Sequence, residues 1–382
     1  MKSDSKPLSV LITNITLASR SGTEIVVRDL ALGLLQLGHR PIVYSPIVTG
    51  PIPKELRAAS IPVTDNILSI EQPVDIIHGH HTPTTAIAIA RFPHAPAVFA
   101  CHDFVAWHDS PPPFAQIRRF IAVDEATFDR LTVREGAPLE RTRLLFNAVD
   151  LHRHVRTATL PDTATRALLI AKGSKYTAAV TEACRKRGMA LETIGPSVDR
   201  IVDSPEAFTG GRHIVFASAR GALEAIASGC AVIVCDDRGL AGMVSTASLP
   251  SWRPLNFGLR SLRRPVTVEN LLTEIDQYNA ADATAVSDWI RENANLDQWL
   301  SQLVGVYREA IGEAREFADF DAGFDRSMAH YLELWSPRLD SAWPWMEERR
   351  QLMKEIEELK QRLARGKQVK RTNPLRRLIS GT

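Results

Sequence analysis

The sequence has no long apolar run. Of its 382 residues 45% are hydrophobic, yet no stretch reaches the roughly 18 residues that a membrane-spanning helix needs. The nearest, residues 84–101, is broken by Arg91, Pro93, His94 and Pro96. The N-terminus, MKSDSKPLSVLITN, has neither a long apolar core nor a small-residue cleavage site, so no secretory signal is expected. The four cysteines (Cys101, Cys184, Cys230, Cys235) follow no zinc spacing and lie in or beside apolar segments. That usage predicts reduced, buried thiols in a cytoplasmic protein. A GxxxxGKS/T loop, a GxGxxG after the first strand and a GxSxG elbow are all missing. Their absence excludes P-loop ATPases, the dinucleotide fingerprint and the usual α/β-hydrolase nucleophile. The body also lacks the basic-and-aromatic surface signature of nucleic-acid binders, and no such partner is expected.

Acidic residues stop at Glu358. Lys and Arg total 46 against 44 Asp and Glu, a net charge of +2, but eight of the basic residues fall between Lys360 and Arg377. The preceding body therefore holds 38 basic against 44 acidic residues. A cationic tail over 360–377 on an acidic body predicts peripheral contact with an anionic membrane at its inner face, at about 1 kcal/mol per basic residue. A solvated tail is the alternative. Just before it, Leu352, Ile356, Leu359 and Leu363 recur at helical spacing with Glu358 and Arg362 paired at i,i+4. An amphipathic helix over 347–365 that pairs with a second copy, or lies on the body, is the corresponding expectation.

What the chain does have is strand and helix in alternation. Apolar, β-branched runs at 8–13, 41–44, 74–77, 97–100, 120–123 and 144–146 are separated by helical patterns, the first of which ends at Gly38. A polar, Pro-containing linker over 151–165 precedes a second alternation, with strands at 167–171, 191–194, 213–216 and 231–235. This spacing predicts an α/β protein with two Rossmann-like domains, 1–152 and 153–315, and a helical extension over 316–382. Ligands are expected at the strand C-terminal ends between the domains. In IIHGHH, His78 and His80 fall on one side of a strand, but no acidic or Cys partner stands at a metal-ligand spacing. Histidines lining a cleft at a strand end are expected there, and no metal.

The order of SGTE opening a helix, DIIHGHH, AVFACHD, FIAVDEATFDRL, LLFNAVD and GALEAIASGCAVIVCD resembles the family 4 group of GT-B glycosyltransferases, especially bacterial members acting on cell-surface saccharides. The resemblance covers residues 8–315 and is strongest over 97–150 and 211–245. It implies sugar transfer from a nucleotide-sugar donor to a saccharide or lipid-linked saccharide, metal-independent and retaining, without a further cofactor. His102 matches a histidine beside the transferred sugar. Gly22 would let backbone N–H groups approach phosphate or sugar. Lys172, Lys175 and Arg220 are candidates for the donor diphosphate, and Glu224 for the ribose hydroxyls, which a carboxylate accepts well. Two positions depart from the family pattern: Ser21, where a glycine is usual, and Phe216, where a second glutamate is common. Asp124 and Glu125 are read as charge at a helix N-terminus rather than as catalytic groups. Two rivals remain open, a nucleotide-sugar epimerase of the same architecture and a non-catalytic GT-B-like subunit docking through its C-terminal helix.

Overall fold

The computed structural model describes residues 6–20, 22–198, 200, 202, 206–316, 323–335, 352 and 355. Its contacts divide the chain into two compact units, Met1–Ala322 and Gly323–Thr382. In the second unit residues 324–335 are helical. The basic tail over 360–377, and all of the expected helix over 347–365 except Leu352 and Glu355, lie outside the described residues. No described helix is long and apolar enough to cross a membrane.

The first unit contains two sheets. Strands β1 (Ser9–Thr13), β2 (Arg40–Tyr44), β3 (Val63–Thr64), β4 (Ile76–His80), β5 (Ala97–Cys101), β6 (Ile117–Ala122) and β7 (Thr142–Leu144) form the first, in the order β3-β2-β1-β4-β5-β6-β7. All of its pairings are parallel. Strands β8 (Arg166–Ile170), β9 (Ala190–Ile194), β10 (Ile214–Ala217), β11 (Ala231–Asp236) and β12 (Gly239–Met243) form the second, in the order β12-β11-β10-β8-β9. Only β11 and β12 run antiparallel. Central strands such as β1 (SVLIT) and β11 (AVIVCD) are buried along their whole length, because helices cover both faces of a parallel sheet. These are two Rossmann-like halves, the arrangement that the resemblance implies, and in such sheets ligands bind at the strand C-terminal ends.

The helix Leu296–Glu316 departs from the expected division. It follows the second half in sequence, but Leu300, Leu303, Val304, Tyr307 and Ala310 join the core of the first half with Val10, Ile12, Val27 and Leu30. Their spacing puts them on one face of the helix. Gly33 makes the approach possible, since a Cβ there would lie 2.2 Å from Leu300 Cδ1. The chain therefore crosses between the halves twice, and the crossings are tied together. The Val149 amide donates to Ala294 O at 2.8 Å, and the Leu296 amide to Val149 O at 3.0 Å.

Two smaller differences bear on the site. The strand expected at 74–77 is displaced and carries through His80, which brings two of the three histidines of IIHGHH, His78 and His80, into the sheet. The helix expected after residue 123 shortens to Glu125–Asp129, with Asp124 as its cap accepting from Thr127 N at 2.7 Å. A wider turn, Arg130–Arg134, follows, and Arg130 is fully buried there.

Candidate active site

In the first half the site is floored by imidazoles. Parallel pairing sets His80 beside Ala100, so His102, one residue beyond the end of β5, comes within reach of the end of β4. His80 Nδ1 and His102 Nε2 are 2.7 Å apart. Two residues deeper on the same side of β4, His78 Nδ1 lies 2.6 Å from the Tyr307 hydroxyl, contributed by the returning helix. The His78 and His80 rings lie 4.6 Å apart between centroids, tilted by 41°. Burial, followed by the charge of Arg220, lowers the His102 pKa to about 4. Burial, followed by His102, lowers that of His78 to about 3, and His80 is lowered as well. At neutral pH the floor is uncharged, so His102 acts as a hydrogen-bonding group rather than a cation.

His81, directly after β4, has φ 66°, a left-handed conformation that costs a non-glycine residue on the order of 1–3 kcal/mol. It gathers with His108 and Asp109, their ligating atoms lying within 4.8 Å of one another. Asp109 is buried, and desolvation, then the charge of Asp103, raises its pKa to about 7. The tautomer argues against a metal ion held by this trio. His81 Nδ1 accepts from the Ile15 amide at 3.3 Å, which leaves the proton on Nε2, 4.0 Å from Asp109 Oδ1. Ligation through Nε2 would place the proton on Nδ1, against the Ile15 N–H.

The second half meets this floor through the start of the helix Arg220–Ala227. Ala219, just before it, has φ 51°, and its backbone N–H donates to Phe257 O at 2.9 Å. Each half thus stores strain where its strand meets the cleft, at His81 after β4 and at Ala219 after β10. Arg220 is buried with its Nε 2.6 Å from Glu224 Oε1, and its Nη2 bonds Asp29 on the first-half helix Gly22–Gln36. Asp29 also accepts from Arg28 Nε at 2.9 Å and Nη2 at 2.6 Å. Lys172, exposed after β8, donates from Nζ to Ser218 O at 2.8 Å. Close by, Asp236 takes Ser218 Oγ at 2.7 Å and Arg238 Nη2 at 2.6 Å. A dense ring of charge therefore closes over neutral imidazoles. A separate cavity of about 770 Å3, lined by Ser9, His39, Arg40 and Arg57 among others, opens at the starts of β1 and β2, away from this chemistry.

Residues 20–153 match the family model described as Glycosyltransferase Family 4. Over that segment, which takes in most of the first half, the chain is family 4-like. No curated protein matches it by sequence. Among solved structures, a glycosyltransferase from Rickettsia africae ESF-5 superimposes with a TM-score of 0.56 at 13% identity, over 80% of this chain and 99% of its own. A putative UDP-N-acetylglucosamine 2-epimerase from Listeria monocytogenes gives 0.52 at 14%, over 81% and 98%. A lipopolysaccharide outer core galactosyltransferase in its apo form gives 0.51 at 10%, over 80% and 99%. At these identities the likeness establishes the GT-B fold.

At this cleft Arg220 is bonded to Glu224 and near enough to His102 for its charge to act there, and Lys172 is near enough to Glu224 and Asp236 for theirs to act on it. Lys175 is exposed on the same loop, its amide held by Asp237 Oδ1 at 3.0 Å. Gly22 opens the helix that carries Asp29, and a side chain there would meet nothing within 4 Å, so close packing is not what requires glycine. Ser21 lies outside the described residues. Phe216 is fully buried in the core of the second sheet and offers the cleft no polar group. Sequence reasoning missed Asp29, Arg28 and Tyr307. The signal for the first two was present: a charged pair inside VVRDLAL, on a helix face that otherwise reads as core.

Proposed function

We propose that this chain moves a glycosyl group from a nucleotide-sugar donor held by the second half to a saccharide or lipid-linked saccharide at the first half, with retention and without a metal ion. The observation that carries the reading is the meeting of Arg220 and Glu224 from one half with His102 from the other. Glycosyl transfer needs cations where the diphosphate leaves and a hydrogen-bonding surface at the sugar. In this reading Arg220 and Lys172 take the diphosphate, Glu224 the ribose diol, and His102 a sugar hydroxyl. As the structure stands, Arg220 is bonded to Glu224 and Asp29. A donor therefore exchanges those contacts for its own, the diphosphate taking the guanidinium and the ribose taking the freed carboxylate. Phe216 supplies no carboxylate beside the sugar, so retention rests on the resemblance and the donor itself.

The test is calorimetric titration with UDP-, GDP- and ADP-sugars, with and without EDTA, on the wild type and Glu224→Ala. One nucleotide should bind in EDTA, and the variant should lose about 1.5–3 kcal/mol of that binding through the missing charge-assisted contact. Binding that requires a divalent ion, or that the variant keeps in full, would overturn the assignment. Isomerisation of the donor sugar without an acceptor would favour the epimerase reading.

A further inference from the structure

The reading above gives His102 a role but leaves unexplained why three further aromatic polar groups are buried behind it. Charged or polar side chains are seldom wholly buried without full hydrogen bonding. His78 and His80 nevertheless stand side by side within β4, 1% and 0% exposed, and the Nε2 atom of each is buried without a hydrogen-bond partner among the described residues. A core strand could carry valine or isoleucine at both positions and avoid that cost. What the two histidines do make are single, short, directed bonds, to Tyr307 and to His102.

The pattern of bonded and unbonded atoms bears on the tautomer at His80. For His80 there are two choices. Donation from His102 Nε2–H to His80 Nδ1 would leave His80 with an N–H on Nε2, buried and unbonded. Donation from His80 Nδ1–H to His102 Nε2 leaves only a bare lone pair there. Orphaned buried N–H groups are the rarer case, because an acceptor without a partner loses less than a donor. The second arrangement is therefore favoured, and it places the His102 proton on Nδ1, the ring atom that makes no described hydrogen bond.

We propose that His80 is a positioning residue: its Nδ1–H, fixed by its place in β4, holds His102 as the Nδ1–H tautomer and presents that N–H to the sugar. The proposal deepens the reading of His102 and rests on it. Because β4 and β5 are neighbouring buried strands, the bond is set by sheet register and not by a flexible loop. The donor site thus receives a hydrogen-bond donor of fixed direction.

Histidine-selective 15N labelling tests this directly, with His102 assigned by its disappearance in His102→Gln. Two- and three-bond proton–nitrogen correlations should show His102 protonated at Nδ1 in the wild type and in His80→Asn, whose side-chain amide can donate from nearly the same place. In His80→Leu the tautomer should become mixed or invert. Turnover is followed as release of UDP, GDP or ADP from the corresponding glucose nucleotides. In His80→Leu kcat should fall by up to about 100-fold, the lower end of what losing one positioned hydrogen-bond donor costs at a transition state, with KM within about twofold. His80→Asn should recover most of it. A His102 protonated at Nε2 in the wild type, a tautomer unmoved in folded His80→Leu, or a folded His80→Asn as slow as His80→Leu would each overturn the positioning role. A wild-type rate in His102→Gln would instead overturn the reading of His102 and remove the basis of the proposal with it.

Discussion

Replacing Asp29 by asparagine should destabilise the fold more than replacing Arg220 by glutamine, although Arg220 is the larger group and the one that spans the halves. The reason lies in the partners each would leave behind. Asp29 is 4% exposed and bonds two buried guanidinium groups, those of Arg28 and Arg220. With asparagine there, Arg220 keeps Glu224 at 2.6 Å, but Arg28 loses its described counter-ion and faces an amide in its place. Removing one partner of a buried ion pair costs about 3–5 kcal/mol, because a desolvated charge is left uncompensated. In Arg220→Gln, Asp29 keeps Arg28, and Glu224, at 14% side-chain exposure, has access to water. The loss is then nearer that of one charge-assisted hydrogen bond, about 1.5–3 kcal/mol. At about 2–4 °C per kcal/mol for domains of this size, Asp29→Asn should lower Tm by about 6–20 °C. Thermal unfolding of the two variants and the wild type under one buffer decides it. A Tm shift in Asp29→Asn equal to or smaller than that in Arg220→Gln would refute the reasoning.

The histidine floor also makes stability depend on pH. His78 and His81 are lowered to about 3 and His102 to about 4 from 6.5, so between roughly pH 6.5 and 4 the unfolded chain binds protons that the fold refuses. Stability should fall as pH drops through that window, by up to about 1.4 kcal/mol per unit for each ring. Asp109, raised to about 7, takes up its proton in the folded state and offsets one of them. Urea unfolding at pH 7.0 and 5.0 measures the balance, and equal stability at both would count against neutral burial. Gly33→Ala should cost about 1–3 kcal/mol by forcing the returning helix off at Leu300. Combining it with Leu300→Ala should give less than the sum of the two single losses, because the second change makes room for the first.

Much of the architecture was legible in the sequence, since a parallel sheet covered on both faces writes its strands as short apolar runs. The strands around β1, β5, β8 and β11 fall where their apolar runs predict. The antiparallel strand β12 escaped because GLAGM has two glycines among its five residues and little β-branching. The return of Leu296–Glu316 escaped for a different reason. Its apolar face announces burial but not against what, and its partners in β1 and Gly22–Gln36 lie more than 250 positions earlier. At the site, His102, Arg220 and Glu224 were readable as a family pattern. The Arg220–Asp29 bond was not, because it joins helices from different halves and depends on how those halves close. The histidines of IIHGHH were placed at a cleft, but their roles follow from register: pairing of β4 with β5 turns His80 toward His102 and leaves His78 to Tyr307.

The paired crossings near Val149 and Leu296 limit how the cleft can open. A single linker would act as a swivel, free to twist the halves about its own axis. Two strands of chain held together by backbone hydrogen bonds behave as two pins of one hinge, so the halves turn mainly about the line that joins them. Any opening of the cleft would keep to that axis, and closure would return Arg220 to Asp29 on the facing helix. Lengthening either crossing by a few residues would leave both sheets intact while loosening that closure.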